Sequence, residues 1–187
     1  MINTLEYIKP FLVFDTYDTF YDLQIIQRRK ENPDMATNHR TVKHYSIKSI
    51  EHLERVLPEI IKICDVLNAR ACINLNRRSF EFLAKQMLKK VPDVFLADSY
   101  ATMGSAYESL VGTFTSEPRE SRKWIVDIDV LSLAAVREVE SFIQMHNNKD
   151  TKILGILRTK NGNHLLTTPF RVDEFRKKYQ EHEIHRN

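Results

Sequence analysis

The sequence predicts an α/β (α+β) fold: an N-terminal ββαβα unit packed on a C-terminal βαββα unit, with a cleft between them. Three observations carry this expectation. Short β-branched and aromatic runs alternate with segments of helical apolar period, the pattern weakens once, across residues 92–121, and no stretch repeats another. With 187 residues the chain has the length of one domain with an embellishment, a typical domain running to ~150 residues. We expect a single domain over 1–187, subdivided into a unit at 1–95, a helical and loop connection at 96–122, and a second unit at 123–187.

Residues 20–30 (FYDLQIIQRRK) read as a strand that stops at the turn signal ENPD, and residues 40–48 as its successor. Ser49 is the N-cap of a helix over 50–67, where Leu53, Leu57, Ile60, Ile61 and Cys64 keep a helical period and Pro58 introduces a kink. A strand follows at 70–76. Ser79 then caps a helix that buries Phe80, Leu83, Ala84, Met87 and Leu88. Residues 98–114 read as a helix of small residues and 115–122 (TSEPRESR) as a polar loop or mobile segment, and the weak region 92–121 as a whole reads as the internal boundary. In the second half, 123–129 (KWIVDID) is a buried strand closed by acids, 132–147 a helix, and 152–158 another buried strand. A turn at 159–162 leads into a hairpin strand at 164–170, and an amphipathic helix at 172–181 closes the pattern.

Composition excludes several classes. Residues are 42% hydrophobic and 28% charged, with no apolar run near the ~18 that spans a bilayer, so neither disorder nor a membrane partner is expected. Cys64 and Cys72 form no C-x-x-C pair, and the N-terminus lacks a signal-peptide pattern, so a reducing cytoplasm is the expected location. Only four glycines occur, too few for the Gly-rich phosphate loops of the common nucleotide folds. The net charge of +3 permits a nucleic-acid or nucleotide partner without requiring one.

Asp127 and Asp129 flank Ile128 on a strand of period two, so both carboxylates leave the same face. Two adjacent like charges call for a cation, and carboxylates at the end of an apolar strand are how two-metal phosphoryl-transfer sites hold Mg²⁺ or Mn²⁺. The plainer reading is a strand ending in solvated acids that cap the helix at Ser132. Lys160, Asn161 and His164 surround the turn glycine, Gly162, where a lysine charge and an imidazole donor suit a nucleotide phosphate or ribose. A hairpin with a polar rim is the alternative. Arg28, Arg29 and Lys30 end one strand and suit a nucleic-acid backbone; Arg77 and Arg78 precede a helix N-terminus and suit a nucleotide phosphate. Solvated surface charge is the alternative for both groups.

The order of these motifs, D-I-D at 127–129 on a buried strand, then a helix, a strand, and Gly162-Asn163-His164 heading another strand, resembles the archaeo-eukaryotic primase (primase-polymerase) superfamily. The segments RACINLNRRSFEFLAK, KWIVDID and TKNGNHLLTTPF are similar to those of uncharacterised primase-like proteins of bacteriophages. The resemblance implies an RRM-like sheet in the C-terminal unit, metal binding by Asp127 and Asp129, and contact of His164 with the incoming nucleotide. It also implies a third metal-binding acid on a later strand. Asp173 is expected to start a helix and Glu183 lies near the C-terminus, so neither is placed on a strand by the sequence.

Two functions follow. One is a primase-polymerase-like nucleotidyltransferase that uses Mg²⁺ or Mn²⁺ at the D-x-D motif in DNA replication, with a nucleoside triphosphate and nucleic acid as partners. The other is a non-catalytic nucleic-acid- or nucleotide-binding accessory protein of the same fold, acting in the host cytoplasm with a protein partner possible. A 2H-type phosphoesterase needs two H-x-[ST] motifs, and His44-Tyr45-Ser46 supplies one while His164-Leu165-Leu166 fails. A D-x-D glycosyltransferase needs a larger nucleotide-binding domain, and His182-x-x-His185 reads as a polar tail.

Overall fold

The computed structural model describes residues 4–97, 99, 102–146 and 151–186. They form two compact units, Leu12–Ser116 and the pair of segments Met1–Phe11 with Glu117–Asn187. In chain order the elements are α1 (Leu5–Ile8), β1 (Thr19–Arg28), β2 (His39–Ile47), α2 (Ile50–Val66), β3 (Arg70–Ile73), β4 (Arg78–Ser79), α3 (Phe80–Leu96), α4 (Met103–Thr113), β5 (Trp124–Ile128), α5 (Leu133–Met145), β6 (Ile153–Arg158), β7 (Asn163–Thr167), α6 (Val172–Lys178) and β8 (Glu183–His185). The α/β (α+β) class expected from the sequence is observed, as two separate antiparallel sheets. Among the described residues no helix is long and apolar enough to cross a membrane.

In the unit Leu12–Ser116, β1 is central, with β2 on one side and β3 and β4 on the other. Its alternation sends Leu23 and Ile25 to one face and Phe20 and Asp22 to the other. Lys43, opposite Ile25 in the ladder, reaches Glu59 of α2 at 2.5 Å, which marks the face that α2 covers. Ser49 caps α2 as expected, its hydroxyl accepting from the His52 N–H at 3.0 Å. On the opposite face Phe20 packs with Leu83, Leu110 and Val111 and stacks on Phe80 at 4.3 Å. Burying a side chain of this size stabilises the fold by roughly 1.5–3 kcal/mol.

Residues 96–116 are therefore part of this unit, because α4 supplies Leu110 and Val111 to the Phe20 cluster. Asp98, Tyr100 and Ala101, at the start of the helix expected over 98–114, lie outside the described residues, as does Asn147 of the helix expected over 132–147. The strand expected over 70–76 stops at Ile73: the Asn76 N–H turns back to the Asn74 side chain at 3.0 Å, and the short β4 then pairs with Thr19 and Phe20.

In the other unit the sheet order is β6-β7-β5-β8, every pair antiparallel. With α5 and α6 this makes a complete β-α-β-β-α-β split pattern, one strand longer than the βαββα of the sequence reading. Helices α5 and α6 bury Val136, Val139, Ile143, Val172 and Phe175 against Val126, Ile128 and Leu165. The even positions of β5 thus face the helices and Asp127 faces away. On that opposite side Phe11 approaches β6 so closely that a Cβ on Gly155 would meet its ring at 3.2 Å.

Candidate functional site

Only the first acid of the D-x-D motif lies on the strand, so the expectation that Asp127 and Asp129 leave one face of it is corrected: Val126 and Ile128 are fully buried, and Asp127 projects from the face opposite α5 and α6 with its side chain 28% exposed. β5 ends at Ile128. Asp129 lies just beyond it in a tight turn closed by the Val130 N–H donating to the Ile128 carbonyl at 2.7 Å, and it is exposed. The cap of α5 is the Ser132 hydroxyl, which accepts from the Ala135 N–H at 3.3 Å.

His164 is the direct cross-strand partner of Asp127, and its Nε2 lies 3.5 Å from Asp127 Oδ1. This is an ion-pair distance rather than a good hydrogen bond. Burial pushes the His164 imidazole below the usual histidine range; His185 adds to the fall, while Asp127 and Asp129 oppose it. The surroundings of His164 therefore disfavour its protonated form.

The turn before His164 is held against the end of β5. Gly162 N–H donates to Thr159 Oγ1 at 3.0 Å, and the Thr159 N–H returns to the Gly162 carbonyl at 2.9 Å. A Cβ on Gly162 would collide with the Ile128 carbonyl and lie 2.9 Å from Asp129 Cα, so only glycine permits this approach. Asn163, 2% exposed, donates from Nδ2 to the Val130 carbonyl at 2.7 Å and ties β7 to the turn that carries Asp129. Sequence reasoning missed this positioning role. Lys160 and Asn161 are exposed in the turn itself.

On the other side of β5 the structure departs from the sequence reading. Glu183 lies on β8, in register with Asp127, and His185 lies opposite Ile125. One row across the face opposite α5 and α6 therefore reads His164, Asp127, Glu183, with His185 one step along and its Nε2 3.8 Å from Glu183 Oε2. The expectation that no late acid sits on a strand is corrected for Glu183. Asp173 does lie in the first turn of a helix, as expected.

The resemblance assigns metal ions to Asp127 and Asp129. Among the described residues no group of three or more His, Cys, Asp or Glu side chains is arranged to hold one. The donor chemistry still fits: Mg²⁺ is usually held by one or two carboxylates and completed by substrate phosphates, not by an all-protein cage. Asp127 and Asp129 are the two carboxylates that would hold such an ion; Glu183, although in register with Asp127, completes no three-donor group with them.

The basic candidates all belong to the unit Leu12–Ser116. Arg78 does not present its charge to solvent. It is 1% exposed, and its guanidinium donates to the carbonyls of Val111 (2.6 Å) and Asn76 (3.1 Å), which join β4 to α4. Arg77 is paired with Asp15. The pair expected to receive a phosphate is thus engaged within its own unit, because β4 is drawn into the sheet beside β1. Arg28, Arg29 and Lys30 are exposed at the end of the β1–β2 hairpin. A buried polar group that the sequence reading left out lies nearby in the chain: Asp22, 2% exposed, faces His44 Nδ1 at 3.0 Å and accepts from Gln24 at 2.6 Å.

No protein-family model matches the chain, no curated protein matches it, and no solved structure matches it.

Proposed function

We propose that the chain is a metal-dependent nucleotidyltransferase of the primase-polymerase kind, working on the face of the split β-α-β sheet opposite α5 and α6. The observation that supports this most is the register that sets His164 and Glu183 on either side of Asp127. A transferase of this type needs hard oxygen donors beside a group that contacts the nucleotide, and this register brings one late acid, Glu183, onto the strand next to Asp127. When bound, Mg²⁺ or Mn²⁺ would neutralise phosphate charge and favour attack by a 3′-hydroxyl. The chain's own part is to fix the carboxylates on adjacent strands, to keep His164 neutral as a hydrogen-bond donor, and to offer Lys160 at the exposed turn as a point charge for the triphosphate.

The test is template-directed incorporation of labelled nucleotides with Mn²⁺ or Mg²⁺. Asp127→Asn is expected to abolish incorporation, and Glu183→Gln to lower kcat on the order of 10²-fold, the scale on which removing one group from a charge-stabilising site acts. Full activity in Glu183→Gln would remove the support for this reading. A second reading, nucleotide or nucleic-acid binding without chemistry, is favoured by the lack of a three-ligand metal group among the described residues. Binding that ignores both EDTA and Asp127→Asn would select it.

A further inference from the structure

The strands β1 and β2 run on beyond the rest of their sheet. The last residue of β1 paired with β3 is Ile26, opposite Arg70, whereas the hairpin ladder continues through Gln27↔Arg40 and Arg28↔His39 and on to the Arg29 N–H, which donates to the Asn38 carbonyl at 2.9 Å. This two-stranded end carries Arg28, Arg29, Lys30, His39 and Arg40, all exposed. Successive strand residues point to opposite faces, so the side chains of Arg28 and Arg40 leave by different faces of the ribbon. Among the described residues none of these five side chains is ion-paired, although Lys43, Arg70, Arg77, Lys85, Lys177 and Lys178 each have a carboxylate partner.

The ribbon is also held in place. Arg70 pairs with Glu31 and so removes one of the two acids of the turn, leaving Asp34. Asn68, at φ 45°, donates to the Glu31 carbonyl at 2.6 Å, and Asn32 donates to the Asn68 carbonyl at 3.0 Å. A cluster of unpaired like charges on an anchored ribbon costs self-repulsion and gains nothing internally. It suits a polyanion met from outside.

We propose that the end of the β1–β2 hairpin is a nucleic-acid contact surface that binds the phosphate backbone. A two-stranded ribbon has the width that the DNA major groove admits, and cations on both of its faces meet phosphates on both walls. A lipid surface is a poorer fit, since residues 28–40 (RRKENPDMATNHR) offer almost no apolar side chain to insert. The inference goes beyond the transferase reading and does not depend on it.

The experiment is fluorescence anisotropy of labelled random-sequence 20-mers, single-stranded and duplex, across a salt series without nucleotide or metal. An inactive Asp127 site therefore leaves the result untouched. The variants are Arg28→Ala/Arg29→Ala/Lys30→Ala/Arg40→Ala and the corresponding Arg→Lys replacement with Lys30 kept. Each phosphate contact adds about 0.9 to the slope of log K against log salt for duplex and about 0.7 for single strands. The alanine variant, folded by circular dichroism, is expected to lose about 3 from that slope and at least about tenfold in affinity at 0.1 M salt, while the lysine variant keeps the slope. An unchanged slope in the alanine variant overturns the proposal. So does wild-type protein that binds no oligonucleotide, or that is displaced equally well by polyglutamate of matched charge, which would point to an acidic protein.

Discussion

Gly162→Ala puts the closest approach in the candidate site to a direct test. At a position with room, replacing glycine by alanine stabilises a protein by about 0.4–1 kcal/mol, because the unfolded chain loses freedom. At Gly162 the added methyl meets the Ile128 carbonyl, with Asp129 Cα at 2.9 Å and the Ile128 carbonyl carbon at 3.0 Å. Every one of these is backbone in or next to β5, so no side chain can rotate aside. Overpacking of this kind costs about 1–3 kcal/mol. Moving the turn away also stretches the bond from Asn163 to the Val130 carbonyl, and an unsatisfied buried amide adds about 1–3 kcal/mol. Set against the alanine gain, the net destabilisation is about 1–6 kcal/mol. The sole tryptophan, Trp124, opens β5, so its fluorescence in urea follows this unit without interference from the other. With m near 2 kcal/mol/M, the midpoint is expected to fall by about 0.5–3 M. A midpoint that stays level or rises would show that the turn does not press on β5, and the account of how Asp129 is held would fail.

Other outcomes follow from the same contacts. His164 sits below its ordinary value, so the folded state disfavours its proton; the stability this gives is full above about pH 6.5 and is lost as the pH falls toward the lower folded value. The Trp124 urea midpoint is therefore expected to drop between pH 7.5 and 5.5, and to drop less in His164→Gln; equal drops would refute this. Phe175→Ala, at 1% exposure in the helix-side core, is expected to cost about 3–5 kcal/mol by the same assay. Arg78→Lys is expected to destabilise the unit Leu12–Ser116 much as Arg78→Ala does, because one ammonium cannot reproduce the fork that meets Val111 and Asn76; rescue by lysine in thermal melts would contradict that geometry.

The sequence revealed those parts of the site that local pattern specifies. The alternation in KWIVDID set Val126 and Ile128 inward and Asp127 outward, and the glycine turn before His164 announced a hairpin, so the Asp127–His164 pairing was within reach. β8 was not. It has three residues, of which Ile184 alone is apolar, and a strand that short is fixed by its neighbour β5 rather than by its own composition. Arg78 misled for a similar reason: a charged residue next to a helix start reads as surface, and only tertiary pairing of β4 with β1 shows that its guanidinium is enclosed. α3 continues through Pro92 to Leu96, into the stretch where the sequence pattern weakens, and Val94 in its last turn is 6% exposed, so burial beyond the proline accompanies the extra turn.

One unit is interrupted in sequence by the other, and this orders events in time. As the chain is synthesised, all of Leu12–Ser116 emerges before any strand of the second sheet exists. That unit forms its own sheet and the Phe20 cluster from its own residues and can fold early, as domains generally do during synthesis. Phe11 must wait for Gly155, more than a hundred residues later. A nascent chain halted near residue 150, with about 30 residues still inside the ribosome, should therefore have the described part of Leu12–Ser116 protected from protease while Leu5–Phe11 is still trimmed.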